Sequence, residues 1–198
     1  MKIGVYGGAF NPVHIGHIRV AWGVKDALGL DKVLFVPAGL APHKEIEGAT
    51  PNQRYELVAL SIKGTEWMDI SDIEIKDSKI KAGPIASIDT LKKLEIKYTG
   101  DDLCFIIGSD EAAVIDTWKK PAELLAMCKF IVVKRPGFAI KKVNSEYLSK
   151  MKFVDIETLD VSSKNIRYRI NHKLYFKHLV PAEAYNYIKE KELYIQQQ

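Results

Sequence analysis

The apolar residues of this chain fall into short continuous runs separated by stretches of helical period. Lys2-Ile3-Gly4-Val5-Tyr6, Val33-Leu34-Phe35-Val36-Pro37, Leu103 to Gly108 and Lys129 to Val133 are each brief and mostly apolar. That is the pattern of strands buried on both faces. Trp67 to Ile75 alternates, with Met68, Ile70, Ile73 and Ile75 apolar, and predicts a further strand; Phe153 to Ile156 predicts a short last one. Between these runs the period changes. A helix is expected from near His14 to Gly29, with Ile18, Ala21, Trp22 and Leu28 on one face. A second opens at Pro51 and carries Tyr55, Leu57, Val58 and Leu60; a third follows Gly83-Pro84 with Ile85, Ile88, Leu91 and Leu94. Glu111 to Met127 reads as helical material interrupted at Pro121, and Ser162 to Ile170 and Pro181 to Lys189 as two more helices. Alternation of strands and helices predicts an α/β fold, a doubly wound parallel sheet with helices on both faces. Residues 1–198 read as a single domain in which about 160–198 form a helical C-terminal extension.

Composition narrows the class. A chain of 198 residues can bury a full core without disulfides or metal staples. No apolar run approaches the roughly 18 residues of a membrane span, and the apolar patch Ile3 to Tyr6 is too short for a signal-peptide core. The two cysteines, Cys104 and Cys128, sit inside apolar segments, as buried free thiols of a reducing compartment do, so a cytoplasmic location is expected. A net charge of +4 suits an anionic substrate but is no nucleic-acid signature. No membrane or nucleic-acid partner is expected; a homo-oligomer is compatible with the sequence and not specified by it.

In an open parallel sheet ligands collect at the carboxyl ends of the strands. The loop after the first strand begins Gly7-Gly8-Ala9-Phe10, where glycine lets backbone come close to a ligand, and feeds a helix whose free N–H groups bind anions. It is neither the dinucleotide fingerprint nor the Walker loop. It holds His14-Ile15-Gly16-His17, two histidines three apart on one helix face, followed by Arg19. Cations in a first helical turn oppose the helix dipole, and they make sense where an anion occupies that end. A zinc site is not expected, because His43, His172 and His178 come without a clear ligand cluster, so no protein-held metal is assigned. Near the C-terminus the pattern repeats: Ser162 is a good N-cap, and Lys164, Arg167 and Arg169 crowd the first two turns. An arginine there can grip phosphate oxygens with a rigid fork; a solvated basic face is the plainer reading.

The run Gly7-Gly8-Ala9-Phe10-Asn11-Pro12-Val13-His14-Ile15-Gly16-His17 resembles the signature of the nucleotidyltransferases related to class I aminoacyl-tRNA synthetases. Within them the chain is similar to the bacterial nicotinate-nucleotide adenylyltransferases. Further segments carry the likeness: Pro37 to Lys44, Gly83-Pro84 through Asp89-Thr90-Leu91, Phe105 to Asp110 with Trp118, Lys134 to Gly137, and Val161 to Arg167. Ala86-Ser87, Lys119 and Lys164 depart from the family's pattern, and Lys76 to Ala82 look like extra residues.

The resemblance implies a Rossmann-like fold and transfer of AMP from ATP to nicotinate mononucleotide, giving deamido-NAD and pyrophosphate. It implies catalytic roles for His14, His17, Lys44 and Arg167. ATP would be met by Gly7, Gly8, Ala9, Phe10, His14, His17, Gly108, Asp110, Ser162, Ser163 and Arg167. The mononucleotide would be met by His43, Lys44, Ser87, Trp118, Lys119 and Arg135. Mg²⁺ would ride on the ATP phosphates. Alternatives are transfer to the amidated mononucleotide or to another phosphate acceptor such as phosphopantetheine, an RNA-binding relative of the synthetases, and a non-catalytic nucleotide-binding paralogue.

Overall fold

The computed structural model describes residues 1–40, 48–81, 83, 85–134 and 144–195. Six strands form one sheet: β1 (Lys2–Gly8), β2 (Lys32–Pro37), β3 (Met68–Ile70), β4 (Asp102–Gly108), β5 (Lys129–Val133) and β6 (Met151–Val154). Their order is β3-β2-β1-β4-β5-β6, and every pair is parallel. The helices are α1 (Ile15–Leu28), α2 (Pro51–Ile62), α3 (Ile73–Lys81), α4 (Ser87–Lys97), α5 (Ser109–Ala112), α6 (Pro121–Met127), α7 (Ser145–Ser149), α8 (Ser163–Asn171) and α9 (Ala182–Glu190).

Strand alternation sorts the core into two halves, one on each side of the sheet. Val33, Phe35, Cys104, Ile106, Ile131 and Val133 join one cluster, together with Val20 and Val24 of α1, Leu57 and Val58 of α2, Ile166 of α8 and Ile188 of α9. Their strand neighbours Leu34, Val36, Phe105, Ile107, Phe130 and Val132 face the other way, against Ile88, Leu91 and Leu94 of α4 and Leu124 of α6. The expected doubly wound sheet is therefore present, with both faces covered. Helix α1 ends at Gly29, whose φ of +60° is the left-handed cap that glycine adopts without strain. Its buried face is Val20, Ala21 and Val24; Trp22, expected inside, is 44% exposed and meets Trp67 edge-on at 4.5 Å.

Three expectations are corrected. The strand expected over Trp67 to Ile75 stops at Ile70, and Ile73 starts α3. Helix α3 turns Asp77 and Ser78 inward, 6% and 4% exposed, so its buried face is largely polar and leaves no apolar helical period to read. The stretch Glu111 to Met127 is not one broken helix. It is α5, a 3₁₀ turn at Ile115–Thr117 and then α6, with Lys120 in the left-handed region (φ 53°) ahead of Pro121. The last strand runs Met151–Val154 rather than Phe153 to Ile156, and α7 precedes it.

Candidate active site

Strand β1 has β2 on one side and β4 on the other, and the sheet order reverses at β1 and β4. In such a sheet the crevice at the carboxyl ends of those two strands is where ligands bind. Gly7 and Gly8 end β1, and Gly108 ends β4. Asp110 lies half-buried in the first turn of α5, whose N-cap is Gly108 rather than Asp110.

The loop leaving β1 is tightly built. Gly8 accommodates the returning Phe10 ring, which an added Cβ would meet at 3.0 Å. Phe10 is 2% exposed, and its ring lies among Tyr6, Phe35 and His17, so only its main chain can face a ligand. Ala9 is exposed, while Gly7 and Gly8 are half-buried. His14 is the extended N-cap of α1, and His17 stands one turn on, with the two rings stacked at 3.7 Å. The His14 backbone N–H donates to Nδ1 of His17 at 3.1 Å. That bond makes Nδ1 the acceptor, so the neutral ring carries its proton on Nε2 and presents it as a donor. His14 is buried and His17 half-buried, both at the start of α1.

A second helix start is brought to the same loop. A Cβ on Gly16 would sit 2.7 Å from Val161 and 3.0 Å from the His14 ring, so the glycine is what lets α1 and the approach to α8 close up. Ser163 Oγ donates to the Pro12 carbonyl at 2.8 Å, and Arg167 Nη1 donates to the Asn11 carbonyl at 2.6 Å. Ser162 caps α8 by accepting from the Asn165 N–H at 3.2 Å, and Lys164 is exposed. His14, His17, Ser162, Ser163 and Arg167 thus come together around residues 7–17. Arg19 does not join them. It is exposed, and its guanidinium pairs with Glu157.

Across the crevice, Trp118 is half-buried, edge-on to Phe105 at 6.4 Å. Lys119 is exposed and pairs with Asp89 of α4 at 3.1 Å, two residues beyond Ser87 at the α4 start. His43, Lys44 and Arg135 lie outside the described residues. Cys104 and Cys128 are free thiols that burial pushes up to about 11 and about 12, so neither supplies a thiolate nucleophile.

Buried Arg54 and half-buried Glu74 escaped the sequence reading. Arg54 of α2 is 1% exposed and is held by main-chain carbonyls of the two neighbouring loops. It shares a helix face with Leu57 and Val58, and that spacing, an arginine on a core face, was the available signal. Glu74 of α3 accepts from Thr90 Oγ1 at 2.8 Å. Burial raises its carboxyl to about 7, while the bonds from Thr90 and the Gly39 N–H pull the other way; Asp77 adds to the rise and Arg54 opposes it. A carboxyl raised from 4.5 in the unfolded chain to about 7 in the fold favours the native state below pH 4.5, and that contribution is lost as pH climbs to about 7. Chemical denaturation across this window should show a stability decline, at most about 3 kcal/mol, that Glu74→Gln flattens. Parallel pH curves for the two proteins would remove Glu74 as the source.

Residues 5–169 match the family model described as cytidylyltransferase-like. A protein of Geotalea daltonii named "Probable nicotinate-nucleotide adenylyltransferase" is 36% identical over 216 residues, covering 98% of this chain and 98% of the relative. One of Clostridium novyi with the same name is 33% identical over 201 residues, again covering 98% of each. Among solved structures, the Plasmodium falciparum nicotinic acid mononucleotide adenylyltransferase complexed with NaAD superposes with a TM-score of 0.79. It is 20% identical and covers 98% of this chain and 97% of its own, which speaks for the shared fold. The same enzyme complexed with APC gives a TM-score of 0.75 at 18% identity, covering 98% and 96%. With a dense H-x-G-H loop at the switch point and full-length relatives above 30% identity, the chain belongs to the cytidylyltransferase-like nucleotidyltransferases and, within them, to the nicotinate-nucleotide adenylyltransferase family.

Proposed function

We propose that the protein transfers the adenylyl group of ATP to nicotinate mononucleotide, forming deamido-NAD and releasing pyrophosphate. The observation that carries this reading is the meeting of two helix starts, α1 and α8, on one loop, with the His17 ring held by its main-chain bond. Helix N-termini and N–H donors of this kind bind phosphate oxygens.

The reaction needs no protein nucleophile. The mononucleotide phosphate is already an ionised oxygen at pH 7. It attacks the α-phosphorus of ATP in line, the new P–O bond forms, and the bond to the β-phosphate oxygen breaks with its electron pair leaving on pyrophosphate. The protein must hold two polyanions together and neutralise charge that grows on the α-phosphate and leaving group. His17 and His14 would donate to the α-phosphate, and Arg167 with the α8 start would take the β- and γ-phosphates. Lys44 would neutralise charge between the two substrates. Gly108 and Asp110 fit the ribose side of ATP. Trp118 offers a ring face to the pyridine, with His43, Ser87, Lys119 and Arg135 proposed around the mononucleotide. The site's groups are N–H donors suited to anions, and no cluster of three or more His, Cys, Asp or Glu is found among the described residues. Mg²⁺ would be carried on ATP, where it would neutralise the triphosphate.

Acceptor choice tests the reading. Nicotinate has a carboxylate where nicotinamide has a neutral amide, so selection requires N–H donors that the amide leaves badly matched. The α4 start at Ser87 and the main chain at Lys119 can supply them. Steady-state kcat/KM should favour the acid by at least about tenfold, roughly 1.4 kcal/mol. A ratio near one, or an inverted one, would transfer the assignment to the amidated mononucleotide. No helix among the described residues is long and apolar enough to cross a membrane.

A further inference from the structure

An arginine is almost never fully buried unless partners hold it; Arg54 leaves its Nε without one and is held by its two Nη groups. Arg54 Nη1 donates to the Ala9 carbonyl at 2.6 Å, and Nη2 donates to the carbonyls of Ala38 at 2.6 Å and Gly39 at 2.7 Å. Ala9 follows β1, on the loop that runs to His14 and His17. Ala38 and Gly39 follow β2, at the start of the segment that continues to His43 and Lys44. One planar, rigid group therefore ties the mouths of two adjacent strands.

The surroundings hold the second of these mouths from the other side. The Glu74 carboxyl faces the Gly39 N–H, while Arg54 holds the Gly39 carbonyl. A Cβ at Gly39 would lie 2.4 Å from the Glu74 carbonyl and 2.4 Å from Ser78 Oγ, so α3 leaves room for glycine alone. Tyr194, 3% exposed, packs its ring against Gly48 and sits in the field of both Arg54 and Arg167. Its backbone is left-handed at φ 68°, an uncommon state for a side chain of that size.

We infer that Arg54 is a positioning residue for adenylyl transfer, fixing the separation between the nucleotide loop at Ala9 and the acceptor loop at Ala38–Gly39. The inference rests on the function proposed above. Arg54 touches no reacting atom in it. Its effect is felt by a ligand that spans both loops, and much less by one that meets a single loop. Deamido-NAD spans both, whereas ATP or nicotinate mononucleotide alone does not.

The test is calorimetric binding of ATP, nicotinate mononucleotide and deamido-NAD, with steady-state kinetics, on wild type, Arg54→Lys and Gly39→Ala below each melting transition. A lysine keeps the charge and cannot reach three carbonyls. Gly39→Ala pushes the acceptor loop off α3 and leaves Arg54 in place, so it carries the test where Arg54→Lys does not fold. We expect deamido-NAD to weaken at least about tenfold, ATP and mononucleotide less than about threefold, and kcat to fall at least about tenfold with KM nearly unchanged. Equal losses for all three ligands, or unchanged kcat in folded variants, overturn the inference. Failure of both variants to fold reduces Arg54 to a folding role and also overturns it. Wild type that binds none of the three ligands would instead refute the proposed function itself.

Discussion

Replacing His17 by alanine is expected to lower kcat by roughly 10²–10³-fold, the usual cost of losing one preorganised donor to a charge that grows in the transition state. The size follows from the tautomer. The His14 N–H holds Nδ1 at 3.1 Å, which fixes the ring and puts the neutral imidazole's proton on Nε2 before substrate arrives. Little reorganisation is needed at the moment of reaction. His17 is half-buried and edge-on to Phe10 at 5.0 Å, so the variant loses some packing and leaves the His14 N–H without its acceptor. The melting transition should therefore fall by several degrees without collapsing. Asparagine at 17 offers a donor at a different reach and should recover only part of the rate. Near-normal turnover in His17→Ala would remove the residue from the chemistry. A collapsed melting transition with the rate loss would assign it to packing instead.

Arg167→Ala should weaken ATP by about 10–100-fold, the worth of one or two charge-assisted hydrogen bonds, and leave mononucleotide affinity nearly unchanged. Arg167 already donates Nη1 to the Asn11 carbonyl at 2.6 Å, which fixes the plane of its fork and leaves its other N–H groups for phosphate oxygen. A lysine can make the loop contact or a phosphate contact, but not both with one plane, so Arg167→Lys should restore only part of the affinity. Isothermal titration with ATP and with mononucleotide separates the outcomes. Equal ATP affinity in wild type and Arg167→Ala would make the α8 start a basic face that serves the loop alone.

Much of this molecule is written in its hydrophobic pattern. The central strands β1, β2, β4 and β5 read clearly because they are buried on both faces and carry continuous apolar runs. The ends of α1 read clearly because His14 begins it and Gly29 stops it. The H-x-G-H loop was legible as a candidate anion site with close packing at Gly16. The partner in that packing, Val161 far along the chain, was not, because no local signal encodes it. Helix α3 was hidden for a related reason: its inward face holds Asp77 and Ser78, and with Glu74 it is spent on Lys93, Thr90 and the Gly39 turn. Arg54 went unread because its three carbonyl partners come from two other loops. Lys119 shows the same limit from the other side. The resemblance puts it beside the mononucleotide, and in the structure its side chain pairs with Asp89.

The most direct test of adenylyl transfer follows the α-phosphorus. The protein is incubated with ATP labelled at that atom and with nicotinate mononucleotide, and the products are separated. We expect the label to appear in deamido-NAD, one pyrophosphate released for each dinucleotide formed. Label retained in ATP or released as AMP or ADP, with no labelled dinucleotide, would contradict the reaction assigned to this site.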